Sequence, residues 1–282
     1  MQLLKTSPRE LFAKAQARSH RSDVGQTANW VVSGDGPRIL FVHGFRGNHH
    51  GLLPIAGALE NAEIWVPDLP GYGKTAELET EHNLQSYGAW LNNYVSQAGK
   101  FDLVLGHSFG TLVTAAAIEQ GLEAKTVLLN PITSRASEIG GVGQAMANSY
   151  YNLGGKVPSV LSNALVVRGM SVLLTKSAKP AIRSFAHAQH AKHFSSFVSP
   201  RVVIEGFRAA STGSVFDYAQ SLTGDLLLIA GEKDIVAPVQ KTIELQKALP
   251  NSQLEVIPKV GHLTHYETPS EVARLLESFV RD

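Results

Sequence analysis

The amino-acid sequence predicts an α/β protein, a mostly parallel sheet covered by helices on both faces and interrupted by a helical insertion. Three observations carry that reading. Short apolar runs without polar alternation recur at 38–42 (RILFV), 101–105 (FDLVL), 125–129 (KTVLL) and 225–230 (DLLLIA). Such runs mark strands buried on both sides. Most are followed by a stretch of helical spacing, the strand–helix alternation of crossover units. Between residues 131 and 220 the alternation stops, and helical stretches broken by Gly, Pro and Ser take over. A structureless loop of that length does not fit a packed domain. The segment 131–220 therefore reads as an inserted helical subdomain, with 1–130 and 221–282 as the core.

Each element has local grounds, taken in chain order. Ser7 caps a short helix to about Arg18, with Pro8 at its first position and Glu10 reaching back to the cap. Residues 29–33 (NWVVS) and 38–42 are strands, with Gly34-Asp35-Gly36-Pro37 as the turn between them. A helix is expected over 50–60 and a strand over 63–66 (EIWV). The next helix covers 83–98, where Leu84, Tyr87, Leu91 and Tyr94 share one face. The strand at 101–105 leads into a helix over 111–120 closed by Gly121, and the strand at 125–129 leads into the insertion. There, 201–205 (RVVIE) is ambiguous between strand and helix. A strand at 225–230, a helix over 239–249, a strand at 253–257 and a helix over 269–280 complete the chain.

Composition narrows the function before any motif does. The 282 residues, 44% of them apolar, can bury a sizeable core. Lys plus Arg total 25 against 24 Asp plus Glu, a net charge of +1. That leaves no excess of positive charge for a general nucleic-acid binder. Cysteine is absent, which excludes a thiol nucleophile, a disulfide scaffold and a Cys-ligated zinc site. No apolar run approaches the roughly 20 residues needed to span a bilayer. The first twenty residues lack the apolar core of a secretion signal, so a cytoplasmic location is the default expectation. The insertion carries nine basic and three acidic residues, a net of +6 that leaves −5 for the rest. This hints at an anionic substrate, although a solvated basic surface is the simpler account.

The sharpest motif is Gly106-His107-Ser108-Phe109-Gly110, at the end of one strand and the start of a helix. A strand that turns abruptly into a helix strains the residue between them, and flanking glycines remove the side chains that would collide there. The turn lifts the Ser108 hydroxyl above the C-terminal edge of the sheet and aims the Phe109 N–H beside it. The plainer reading is a tight turn with a buried Ser. A serine hydroxyl needs a base, and the base needs an acid to hold its tautomer. With 11 His in the chain, position relative to the strands must choose. Asp234 follows the strand at 225–230, and His262 follows the strand at 253–257. Both loops belong to the sheet edge that carries Ser108. Asp234 has the alternative of capping a turn, His262 that of a structural histidine, and Glu232 is the second candidate acid.

The chain resembles the α/β-hydrolase superfamily, in its serine-nucleophile branch, over nearly its whole length. The matching residues are His43-Gly44-Phe45, Asp68-Leu69-Pro70-Gly71-Tyr72-Gly73, the Ser108 pentapeptide, Gly231-Glu232-Lys233-Asp234 and Gly261-His262, in that order. The resemblance implies an eight-stranded-type sheet and a helical cap at 131–220. It also implies oxyanion-binding N–H groups on Phe45 and Phe109. Thr111 departs modestly from relatives that carry a second glycine there. A serine at 108 sets the chain apart from the branches with an aspartate nucleophile.

The expected chemistry is serine hydrolysis of a small ester-like substrate (a carboxylic ester, thioester or lactone) through an acyl-enzyme, by Ser108, His262 and Asp234, with no metal or organic cofactor. The alternatives with the same residues are carbon–carbon bond hydrolysis, acyl transfer, or a ligand receptor on a hydrolase scaffold. The expected partner is a small molecule, with no nucleic acid. His107, Tyr150, Tyr151 and Leu263 are candidates for the pocket wall. His43 is expected to bond within its own turn and Asp68 to hold the PGYG turn. His265, Tyr266 and Glu267 are expected to steady the His262 loop. His49 and His50 read at least as readily as a solvated helix start as pocket groups. His187, His190 and His193 recur at helical spacing, but with no carboxylate in the run they read as core or surface rather than as metal ligands.

Overall fold

A computed structural model of the chain describes residues 6–139 and 141–281. Its strands are β1 (Ser19–Arg21), β2 (Asn29–Val32), β3 (Arg38–Val42), β4 (Glu63–Pro67), β5 (Leu103–His107), β6 (Lys125–Leu129), β7 (Leu226–Gly231) and β8 (Ser252–Ile257). They form one eight-stranded sheet in the order β1-β2-β4-β3-β5-β6-β7-β8. The six strands from β3 to β8 are mutually parallel, and β2 runs antiparallel to both β1 and β4. The helices are α1 (Pro8–Arg18), α2 (Leu53–Ala58), α3 (Leu84–Ala98), α4 (Phe109–Glu119), α5 (Ala136–Ile139), α6 (Gly141–Lys156), α7 (Ala164–Leu174), α8 (Pro180–His193), α9 (Pro200–Thr212), α10 (Val239–Ala248), α11 (Thr264–Glu267) and α12 (Pro269–Arg281).

Strand pleating divides the core between the two faces. Leu103 and Leu105 of β5 join Leu129, Ile229 and residues of α1, α2 and α12 in one apolar cluster. Val104 between them joins Leu128, Leu228 and residues of α3, α4 and α10 in the other. Apolar side chains at consecutive positions therefore serve opposite faces, as an inner strand of a doubly covered sheet requires.

Four details depart from the sequence reading or resolve it. The turn at 34–37 does not close a hairpin: β4 lies between β2 and β3. The link instead crosses the start of β4 so closely that a Cβ on Gly34 would sit 2.2 Å from the Ala62 carbonyl oxygen. The edge strand β1 has no apolar signature, since its side chains are mostly solvent-facing and it is held mainly by backbone pairing to β2. Residues 201–205 are helical. Ser199 caps α9 with Pro200 in its first turn, and Val202, Val203, Gly206 and Ala209 are buried at helical spacing, so packing overrides the β-branched run. The expected helix at 50–60 begins as a 3₁₀ turn, His49–Leu52, and continues as α2.

Helices α5 to α9 occupy the chain between β6 and β7. They meet the rest of the molecule through Tyr151, Leu161 and Val203, which pack with Phe45, and through Phe185 and Ala186, which pack with Leu263 and Tyr266. Among the described residues no helix is long and apolar enough to cross a membrane.

Candidate active site

β5 ends at His107 and α4 starts at Phe109, so one residue, Ser108, must reverse the chain. Its φ of 53° and ψ of −118° lie in a region non-glycine residues avoid, at a cost of order 1–3 kcal/mol. The neighbours make that conformation possible. A Cβ on Gly106 would meet the Gly110 carbonyl oxygen at 2.5 Å, and one on Gly110 would meet that of Val42 at 2.2 Å. The Ser108 N–H is anchored on the Leu129 carbonyl of β6 at 2.9 Å.

His262 and Asp234 sit in the loops after β8 and β7, at the same sheet edge. The Ser108 Oγ lies 2.8 Å from His262 Nε2, and His262 Nδ1 lies 2.7 Å from Asp234 Oδ2. Asp234 also accepts the backbone N–H groups of Val236 and Ala237 on Oδ1, at 2.8 and 2.9 Å. It therefore caps its turn and faces His262 at once. A carboxylate facing Nδ1 places the proton there, leaving Nε2 bare to accept the serine O–H. Burial pushes the Asp234 pKa up, but the facing His262 charge and the donated hydrogen bonds outweigh it, so the net shift is downward.

A fourth residue completes this chain of bonds. Asn130, fully buried and directly after β6, holds a left-handed φ of 51° and donates from Nδ2 to Asp234 Oδ2 at 2.8 Å. The sequence reading missed it, although it stands at a strand end just as Asp234 and His262 do. Glu232 is elsewhere: its carboxylate accepts the Lys259 N–H at 2.7 Å on the protein surface.

The His262 loop is held from two sides. Glu267 accepts the Gly261 N–H at 3.1 Å and, from the helical segment, the Lys176 N–H at 3.0 Å. Burial raises the Glu267 pKa despite these donors. His43 bonds the Gly44 carbonyl through Nδ1 and accepts the Leu69 N–H on Nε2, both at 2.9 Å, so it ties two loops together. Asp68 accepts the Lys74 N–H at 2.8 Å, as its turn role requires, and also the His49 N–H and ring at 2.7 and 2.8 Å.

His49 is buried, and half-buried His50 stacks between it and His193 of α8, at centroid distances of 3.9 and 4.0 Å. The solvated helix start is thereby corrected: packing of α8 over this loop covers it. His187, His190 and His193 are all buried on α8, with His187 bonded to Ser171 Oγ at 2.7 Å. Among the described residues no cluster of metal-ligating side chains is present.

A cavity of about 780 Å³ opens over Ser108 and His262. Phe45, Phe109, His107 and Leu263 line it from the sheet side, and Tyr150 and Tyr151 from the helical segment. Among the described residues no Asp, Glu, Lys or Arg contributes to its wall. His107 is neutral there, because burial first and the His262 charge second lower its pKa to about 3. The nine basic residues of 131–220 lie outside the cavity, so their charge is no evidence for an anionic group at the reacting centre.

Arg46, next to Phe45, is the largest fully buried side chain. Its guanidinium reaches the Phe194 and Leu161 carbonyls and the Tyr150 hydroxyl, and lies 4.2 Å from the Phe194 ring centroid. It joins the loop of Phe45 to the helices between β6 and β7. No sequence signal marked it, since its partners lie more than 100 positions away.

Comparison with known proteins agrees with this architecture. The profile of the alpha/beta hydrolase family matches residues 39–275. The chain is 23% identical to a pimeloyl-[acyl-carrier protein] methyl ester esterase of Vibrio vulnificus, over 89% of this chain and 97% of that protein. Among solved structures, an esterase from Exiguobacterium antarcticum superposes with a TM-score of 0.74 at 19% identity, covering 91% of this chain and 96% of that one. A bromoperoxidase from Bacillus anthracis superposes with a TM-score of 0.75 at 16% identity, covering 94% and 100%. At such identities the structural likeness speaks for the fold.

Proposed function

This chain belongs to the alpha/beta hydrolase family, and from that premise we propose that it is a serine carboxylesterase acting on small esters with an apolar acyl or alcohol part. The observation that carries the proposal is the unbroken hydrogen-bond chain Ser108–His262–Asp234 at the floor of an uncharged cavity. The esterases among its relatives favour the same reading.

In the proposed reaction the Ser108 oxygen attacks the ester carbonyl carbon while His262 Nε2 takes its proton. Asp234 stabilises the imidazolium that forms. The carbonyl oxygen becomes an oxyanion held by the backbone N–H groups of Phe45 and Phe109, each such donor supplying ~3 kcal/mol of transition-state stabilisation. Collapse breaks the C–O bond, and the alcohol leaves with the proton from His262. Water then attacks the acyl-serine, giving its proton to His262, and the acid departs as Ser108 regains its hydrogen. Residues 131–220 act as a cap that supplies the far wall and sets the acyl size.

Fluorophosphonate labelling tests the assignment. Wild type is expected to gain one adduct on Ser108, whereas Ser108→Ala folds normally, takes no label, and loses at least about 10³-fold in turnover of short-chain esters. Wild-type turnover in Ser108→Ala would overturn it. A panel of esters graded in acyl length and charge then bounds the pocket, with neutral apolar esters expected to lead.

A further inference from the structure

Helix α7 exposes apolar surface that a packed protein normally hides. Leu165 is 83% exposed, Leu173 56% and Val172 50%. Only Val167 and Ser171 of this helix are buried, on the side facing α8. Most of its circumference is therefore apolar and open to solvent. The helix also borders the cavity, since Val166, Met170 and Leu173 line it.

The charge around α7 is one-sided. From Glu138 to Glu205 the sequence contains no other Asp or Glu. Arg168 on α7, Lys179 before α8 and Arg183 on α8 are exposed, and none of them makes an ion pair among the described residues. Three other cations of the insertion are neutralised, Arg135 by Glu138 and Asp217, Arg201 by Glu77, and Arg208 by Glu81. Unpaired positive charge is thus concentrated beside the exposed apolar helix.

We propose that α7 and its basic flank dock on an anionic lipid surface, with Leu165, Val172 and Leu173 entering the headgroup boundary and Arg168, Lys179 and Arg183 meeting the acidic headgroups. A helix with exposed leucines and valines and a cationic border is the chemistry that holds to such a surface. An anionic bilayer satisfies both features, whereas a second copy of this chain would place like charges against each other. The docked face borders the cavity, so an amphiphilic ester passes from the lipid to Ser108 without crossing water. This last step rests on the esterase reading; the docking does not.

The test is flotation with vesicles of phosphatidylcholine alone or containing about one third phosphatidylglycerol. Wild type is expected to float with the anionic vesicles, at least about tenfold more than with the neutral ones, and to be released by salt. Leu165→Asp with Val172→Asp, and separately Arg168→Glu with Lys179→Glu, should each lose about tenfold or more of that binding. Neither pair lines the cavity, so turnover of a soluble short-chain ester stays at the wild-type level and reports that both variants fold. Equal flotation with both vesicle types, or wild-type binding in the variants, overturns the proposal. So does a concentration-dependent dimer that Leu165→Asp abolishes in the absence of vesicle binding. Vesicle binding in a wild-type protein that fluorophosphonate does not label would leave the docking standing and sink the esterase reading.

Discussion

Ser108, Asn130, Asp234 and His262 follow four strands that end at one edge of the sheet, and parallel strands put their C-terminal loops together whatever the sequence distance between them. Two of the four hold left-handed backbone conformations, Ser108 at φ 53° and Asn130 at φ 51°. Strain at these positions is paid for by the surrounding core and keeps the side chains aimed. Three of the residues are legible in the sequence, because a serine between glycines and an aspartate and a histidine after strands are distinctive. Asn130 occupies an equally legible position, but nothing in the sequence says that its amide faces Asp234. We expect Asn130→Ala to lower kcat about tenfold with little change in KM, since it loosens the Asp234–His262 pair without touching the cavity wall. Steady-state kinetics on a short-chain ester check this; an unchanged kcat would leave Asn130 a purely structural residue.

At the scale of elements, local propensity was enough for the buried strands and failed where tertiary contacts dominate. β5 and β7 are read directly from FDLVL and DLLLIA, with ends shifted by two residues or fewer. Residues 201–205 are ambiguous in the sequence and sit in α9 because one side of that segment is buried at helical spacing. The loop carrying Phe45 depends on the buried guanidinium of Arg46, which spans to Tyr150, Leu161 and Phe194. Replacing it by Ala leaves the Phe194 carbonyl and the Tyr150 hydroxyl without this donor, while the Leu161 carbonyl keeps only the Tyr150 O–H. We expect Arg46→Ala to destabilise the fold by about 3 kcal/mol and to lower kcat/KM through displacement of the Phe45 N–H. Urea unfolding of wild type and variant measures the first effect, and ester kinetics below the transition the second.

At the scale of the molecule, the cavity is walled by neutral histidines, and that has a consequence for stability. Burial lowers the pKa of His43 and of His190 to about 4 and that of His107 to about 3. In the unfolded chain each takes a proton near pH 6.5. Between that pH and about 4 the unfolded state holds more protons than the folded one, so stability falls as the pH drops through this window. The loss approaches about 1.4 kcal/mol per pH unit for each such histidine. The melting temperature is therefore expected to decline steeply from pH 6.5 towards 4.5 and to be insensitive to these groups above about 7.5. Thermal melts across this range decide it; a flat curve between pH 7 and 5 would show that the rings take up protons without unfolding.

The sequence by itself marked the strands β2 to β8, where they end, and three residues that follow those ends, because strand burial and abrupt turns leave local marks in residue type and spacing. It also showed that the segment 131–220 breaks the alternation. Tertiary structure alone decided that no charged side chain among the described residues lines the cavity, that the basic residues of 131–220 lie outside it, and that Arg46 and Asn130 are buried against their partners. Those properties depend on which distant side chains come into contact, and a buried charge or an exposed helix face has no signature in the residues immediately around it.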